Sequence, residues 1–181
     1  MNYLIGDSQA EGLAPHLPGW RTFPFRGYST SRIKAELRTI PFGRGDTVVL
    51  VTGGNDDPDS SALPGTVRAT ALNVLERGAR LVWVGPVHAK VQPDAQVHPR
   101  TAAIHRAALP PGVRWIDAAP LTRDLARSTN VHLDRAGYAT YAQRLEAAMR
   151  SSSSSAPVLI GLALLGAAIV TRRWWLAVLP P

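Results

Sequence analysis

The sequence predicts an α/β fold in which a parallel sheet is covered by helices on both faces. Three observations carry that prediction. Short apolar runs alternate with stretches of helical spacing along residues 1–150, and the links between them are short. Two of the runs are continuously apolar rather than alternating, as strands buried on both faces are. In such sheets the chemistry gathers outside the carboxyl ends of the strands.

The elements follow in order. Asn2–Ile5 is a short apolar strand that leads at once into a turn carrying Ser8. Arg21–Phe25 is the second strand, followed by a turn at Arg26-Gly27 and a helix over Ser29–Arg38 with Ser29 or Thr30 as its cap. Asp46–Thr52, between Gly45 and Gly53, reads as a fully buried strand. Leu63–Arg77 has helical spacing and stops at Gly78, and Arg80–Val84 is the next buried strand, closed by Gly85-Pro86. Ala95–Leu109 is a helix halted by Pro110-Pro111-Gly112, Val113–Ile116 a fifth strand, and Asp134–Met149 a final helix that Asp134 caps. The strand ends then carry Ser8, Gly27, Asn55 and His88, one to a strand, and His132 stands before the last helix within reach of the same edge.

A chain of 181 residues accommodates one domain of ordinary size and a tail. There are no cysteines, which excludes disulfides and thiolate metal sites. The net charge of +7 comes from 18 arginines and 2 lysines against 13 acidic residues. Residues 151–181 hold two of the arginines and no acid, so residues 1–150 keep +5. Such a balance admits an anionic partner. Yet Arg32, Arg38, Arg68, Arg77, Arg106, Arg127 and Arg144 are scattered along helix-like stretches and form no basic run interleaved with aromatics. They read as solvated helix faces, and no nucleic-acid partner is expected. His98 and His105 lie seven apart on one helix but lack a third ligand and an acidic neighbour, so neither a metal nor an organic cofactor is expected.

Composition changes at Ser151–Ser155, a flexible linker of five serines. Beyond it, Ala156–Val170 is 15 residues without a charge, followed by Arg172-Arg173-Trp174-Trp175 and the apolar end of the chain. Fifteen helical residues span ~23 Å, short of a ~30 Å hydrocarbon core; continuing to Leu179 supplies the length. The arginines then snorkel and the tryptophans sit at the interface. The tail, residues 156–181, is expected to associate with a membrane, a full span being favoured over an interfacial segment. With the first strand starting at Asn2, no signal peptide is expected, which favours the cytoplasmic side for residues 1–150. The positive-inside rule leaves the orientation open, since Arg172-Arg173 oppose Arg144 and Arg150.

The chemistry is read from three distant patches. A serine hydroxyl holds its proton at neutral pH and needs a base within hydrogen-bond reach, with donors aimed at the oxyanion that forms on attack. Gly6-Asp7-Ser8, Gly53-Gly54-Asn55-Asp56 and His132 offer these parts at one sheet edge. Read singly, Ser8 is a helix cap, Asn55 a left-handed turn residue and His132 a packed surface histidine. Asp7 and Asp56 read as residues that shape the loops rather than carry protons.

Together with Gly27, these patches resemble the four blocks of the SGNH (GDSL-type) hydrolase family, in the family's order and over residues 1–150. The other serine elbow, G-x-S-x-G, is not met, because Ala10 stands two residues after Ser8. The resemblance implies a three-layer α/β/α fold with a five-stranded parallel sheet in near flavodoxin-like order. It implies Ser8 as nucleophile, His132 as base, and an oxyanion hole made of the Ser8 and Gly27 backbone N–H groups and the Asn55 side-chain amide. One position departs from the pattern. The family carries an aspartate three residues before the histidine, and here Thr129 stands there. The expected apparatus is therefore a Ser-His dyad, with His132 oriented by Thr129, by a backbone carbonyl or by a carboxylate from elsewhere such as Asp124.

The expected activity is hydrolysis of a carboxylic ester through an acyl-serine. The core is short and leaves little room for a deep acyl tunnel, which points to a small acyl group such as an O-acetyl on a saccharide or cell-wall polymer. The tail points instead to a lipid ester at a membrane, and the missing acid to a membrane-tethered saccharide binder without chemistry. His88, at a strand end on the same edge, reads first as a loop histidine, with a substrate contact as the alternative. The oligomeric state is not legible.

Overall fold

A computed structural model supplies the coordinates and describes residues 1–151. The serine linker past Ser151 and the apolar tail lie outside the described residues. Among the described residues, no helix is long and apolar enough to cross a membrane.

Five strands, all parallel, form one sheet: β1 (Asn2–Gly6), β2 (Arg21–Pro24), β3 (Thr47–Val51), β4 (Arg80–Val84) and β5 (Arg114–Ile116), ordered β2-β1-β3-β4-β5. This is the flavodoxin-like order expected above. The helices are α1 (Ser8–Leu13), α2 (Thr30–Glu36), α3 (Leu63–Glu76), α4 (Asp94–Ala108), α5 (Ala118–Thr122) and α6 (Arg135–Ser151).

Side chains alternate across each strand, and both faces are covered. Leu4, Val49, Val51, Val82 and Val84 pack with Ala10 and Leu13 of α1, Ala118 of α5 and Tyr141 and Leu145 of α6. Tyr3, Ile5, Val48, Leu50, Leu81 and Trp83 face the other way, onto Ile33 of α2 and Val67, Ala71 and Val74 of α3. That double burial is why β3 is apolar from Val48 to Val51. Gly6 pairs with both Pro24 and Val51, and Val51 with Val84. The strands thus end level, and the loops that follow them share one edge.

Two helices were not legible in the sequence. The turn after β1 continues as α1, whose single glycine looks like a breaker. A methyl group on Gly12 would stand 2.1 Å from Tyr138 Cζ, so glycine there lets α1 lie close against α6. The five-residue α5 falls in what read as a loop and contains Pro120. The second helix also ends earlier than expected. Its last turn tightens at Leu37–Thr39, where the Arg77 guanidinium donates to the carbonyls of Leu37, Ile40 and Phe42 at 2.7, 2.6 and 2.6 Å. Asp134 caps α6 as expected, its Oδ1 accepting the Gly137 N–H at 2.7 Å.

Candidate active site

The β1–α1 junction sets Ser8. Asp7 is extended, and its Oδ1 accepts the Gln9 N–H at 2.9 Å, so Asp7 caps α1. Ser8 is the first helical residue, and its N–H has no carbonyl one turn behind it to meet. The cap reading of Ser8 thereby passes to its neighbour. Asp7 is 2 % exposed. Burial raises its carboxyl to about 7, with Asp56 adding to the rise and the Gln9 and Gly54 N–H groups opposing it.

His132 meets Ser8 from the loop before α6. Its Nε2 lies 2.9 Å from Ser8 Oγ, and its Nδ1 lies 3.0 Å from Thr129 Oγ1. Thr129 Oγ1 also accepts the His132 backbone N–H at 3.1 Å. For Nε2 to accept the serine proton, Nδ1 must carry a hydrogen and donate it to Thr129 Oγ1. The hydroxyl oxygen has lone pairs for both donors. Thr129 thus occupies the place of the missing acid, as a neutral partner.

Two side chains that sequence reasoning missed fasten this loop. Gln9 donates from Nε2 to Val131 O at 3.0 Å and accepts the Tyr138 hydroxyl at 3.1 Å. Asn130 accepts the Lys90 and Val91 N–H groups at 3.0 and 2.7 Å and donates to Val91 O and Asp94 Oδ2 at 3.0 and 2.8 Å. Asp124 is not part of the arrangement. It is engaged by Arg144 at 2.6 and 2.8 Å, a pairing that holds its carboxyl down at about 2, and so it does not orient His132.

The remaining donors come from two loops. Gly27 has φ +73°, and nothing lies within 4 Å of the place a Cβ would take. The left-handed backbone, rather than a close approach, requires glycine there. Asn55 Nδ2 donates one hydrogen to Tyr28 O at 3.3 Å, which leaves its second amide hydrogen for a ligand. No non-glycine residue described has positive φ, so Asn55 is not a left-handed turn residue; Gly53, at φ +114°, takes that conformation. Ser8, Gly27, Asn55, Thr129 and His132 line one open cleft of about 520 Å³.

Behind the cleft lies a buried network. Asp56 Oδ1 accepts the Thr30 N–H at 2.8 Å, and its Oδ2 accepts the Thr30 hydroxyl at 2.6 Å and His105 Nε2–H at 2.9 Å. Trp83 Nε1, which can only donate, meets His105 Nδ1 at 3.1 Å. His105 is therefore the neutral Nε2–H tautomer. With the Thr30 hydroxyl committed to Asp56, Thr52 donates to Thr30 Oγ1 at 2.9 Å. Burial pushes Asp56 up, but the bonds from His105 and Thr30 outweigh it and leave its carboxyl below the usual value. Asp56 follows Asn55 directly, and Thr30 lies three residues after Gly27. The network thus ties together the two loops that carry those donors.

Of the five histidines only His132 lines the cleft; besides His16, three others stand elsewhere. His105 is in this network. His98 donates from Nδ1 to Val87 O at 2.8 Å. His88 does not line the Ser8 cleft: its N–H donates to Thr122 Oγ1 at 3.0 Å, and it lines a neighbouring concavity.

No protein-family model matches the chain, and no curated protein matches it. Solved structures do. The C-terminal catalytic domain of Streptococcus pneumoniae peptidoglycan O-acetyltransferase A is 21% identical, with a TM-score of 0.65 over 84% of this chain and 93% of that one. A member of the lipolytic G-D-S-L family from Veillonella parvula is 14% identical, with a TM-score of 0.63 over 82% and 98%. The native aryl esterase of M. smegmatis is 13% identical, with a TM-score of 0.61 over 83% and 98%. The chain has the SGNH/GDSL hydrolase fold.

Proposed function

We propose that the chain is a serine hydrolase of carboxylic esters, and the observation that carries the proposal is Ser8 Oγ at 2.9 Å from His132 Nε2 in a cleft shared with Gly27 and Asn55. Ser8 Oγ attacks the ester carbonyl as His132 takes its proton. The carbonyl oxygen becomes an oxyanion that meets the Ser8 and Gly27 N–H groups and the Asn55 amide. Collapse expels the alcohol, which receives the proton from His132 and leaves an acyl-serine. Water, deprotonated by the same imidazole, then releases the carboxylic acid and regenerates Ser8. Throughout, Thr129 holds the Nδ1–H tautomer but offers no negative charge to the imidazolium.

The cleft is shallow and open, which favours a small acyl group such as acetyl on a saccharide or polymer. The similarity to a peptidoglycan O-acetyltransferase domain supports that choice. Residues 156–181 would hold the enzyme at a membrane, where a lipid ester is the second substrate to test. Thr129 in the acid's place also motivates a binding protein that keeps the fold without turnover.

The test is hydrolysis of p-nitrophenyl acetate, butyrate and octanoate by the full chain and its Ser8→Ala variant. Activity lost in the variant establishes the esterase, and chain-length preference separates acetyl esters from lipids. Equal rates in the two proteins, or none in a well-folded chain, leave the binding reading.

A further inference from the structure

A second concavity of about 590 Å³ lies between the β4–α4 loop, α4 and the start of α5. Its more buried lining is apolar, made by Val87, Ala102 and Trp115, while the exposed Lys90, Arg106 and Arg123 line it as well. All three cations are exposed, and the ion pairs of the described residues involve other side chains. The one acid lining the concavity, Asp117, caps α5 by accepting the Ala119 N–H at 3.0 Å. His88 reports the local field. Its ring is held below the usual value first by burial and then by Arg127, Arg123 and Lys90. In the sequence these cations lie on three separate segments and form no basic run; the fold brings them together.

The concavity neighbours the Ser8 cleft, with a third hollow between them. A small cavity of about 160 Å³ shares Ser8 and His132 with the cleft and Pro86, Val87 and His98 with the concavity. The three hollows thus neighbour one another along the carboxyl edge of the sheet, with Ser8 toward one end and the three cations toward the other. Cations with no carboxylate partner around an aromatic lining suit an anion carried on an apolar or ring-shaped body, since guanidinium forks grip carboxylate and phosphate oxygens in pairs.

We propose that this concavity is a subsite for a carboxylate or phosphate group, its carrier resting on Trp115, with Lys90, Arg106 and Arg123 as the residues that select it. On the ester-hydrolase reading of Ser8, on which this step alone rests, the anion belongs to the substrate and the enzyme prefers esters of acidic molecules.

The experiment separates the two readings by measuring binding without turnover. The full chain carrying Ser8→Ala is titrated calorimetrically with phenyl phosphate, benzoate and the neutral benzyl alcohol. The anions bind and the alcohol does not; adding Arg106→Glu and Arg123→Glu weakens the anions about tenfold or more, and high salt weakens them in the parent protein. Thermal melting checks that the variant is folded, which exposed positions permit. Stronger binding of phenyl phosphate than of benzoate assigns a phosphate source, and the reverse a carboxylate source. No anion binding, equal binding of the alcohol, or binding indifferent to charge reversal overturns the subsite. Anion binding by a protein whose parent hydrolyses no ester keeps the subsite and removes only its link to a substrate.

Discussion

Two histidines of this chain face opposite circumstances. His105 is fully buried between a carboxylate and an indole, every ring nitrogen matched to one partner. His132 sits half-buried in an open cleft between two hydroxyls, Ser8 and Thr129. The carboxylate–imidazole pair that a serine hydrolase is expected to place at its nucleophile is thus present in the core, at Asp56 and His105. There it ties together the loops that carry Gly27 and Asn55. The difference shows that a pairing of residue types does not define a role: a carboxylate orients a base only if the other ring nitrogen faces a proton to be moved, and His105 Nδ1 faces Trp83.

The comparison breaks most sharply if the two histidines are exchanged in importance. His132→Ala should lower kcat/KM for p-nitrophenyl acetate on the order of 10⁴-fold while leaving the melting temperature nearly unchanged, because the site is open and its neighbours remain solvated. His105→Leu should do the reverse in kind. It leaves a buried carboxylate short of one donor and should cost about 2–4 kcal/mol of stability by denaturant unfolding, with a lowered kcat as the Gly27 and Asn55 loops loosen. An unchanged unfolding midpoint in His105→Leu would remove the structural role assigned to the pair.

The two buried aspartates sharpen the same contrast. Asp56 has side-chain donors from His105 and Thr30 and is held ionised; Asp7, burdened first by burial and helped only by backbone N–H groups, rises from 3.8 to about 7. A raised carboxyl binds its proton more tightly in the folded state than in the unfolded chain. Its contribution is therefore present at low pH, lost as pH climbs from about 4 to about 7, and flat above. Asp7→Asn keeps the cap through its side-chain oxygen and cannot titrate. Melting curves of the two proteins should diverge over that window, the parent losing stability relative to the variant. Parallel curves would mean that Asp7 is ionised throughout.

Much of this was readable beforehand, and the remainder failed for identifiable reasons. The apolar run at Asp46–Thr52 revealed β3 because both faces of that strand are buried, and the level strand ends follow from a parallel sheet. Ser8, Asn55 and His132 were legible as a group because each lies beside an element end. The helix α1 was hidden because Gly12 answers a demand from Tyr138, 126 positions away in the sequence. Asp124 was an alternative partner for His132 that the sequence could not exclude, because sequence distance does not show that Arg144, 20 positions on, claims its carboxylate. Gln9 and Asn130, ordinary amides by composition, acquire their roles only from carbonyls supplied by distant segments. The same blindness hid the meeting of Lys90, Arg106 and Arg123.

The most informative change is also the gentlest, and it moves the contrast itself by giving His132 what His105 has. In Thr129→Asp a carboxylate replaces the hydroxyl that now stands 3.0 Å from Nδ1, and it can still accept the His132 backbone N–H that Thr129 Oγ1 accepts at 3.1 Å. A negative charge there favours the imidazolium that forms as Ser8 gives up its proton, so kcat should rise about tenfold, with KM changed less because the new charge acts on the imidazolium of the transition state. The same charge makes the imidazole a stronger base, so the acidic limb of the pH–rate profile should move to higher pH. Thr129→Val, which removes the acceptor and leaves the tautomer unassigned, should lower kcat by a similar factor. If Thr129→Asp raises neither kcat nor the acidic limb, His132 does not pass through an imidazolium in the rate-limiting step. If valine is also tolerated, Thr129 is packing rather than a partner, and the backbone of the loop alone orients the base.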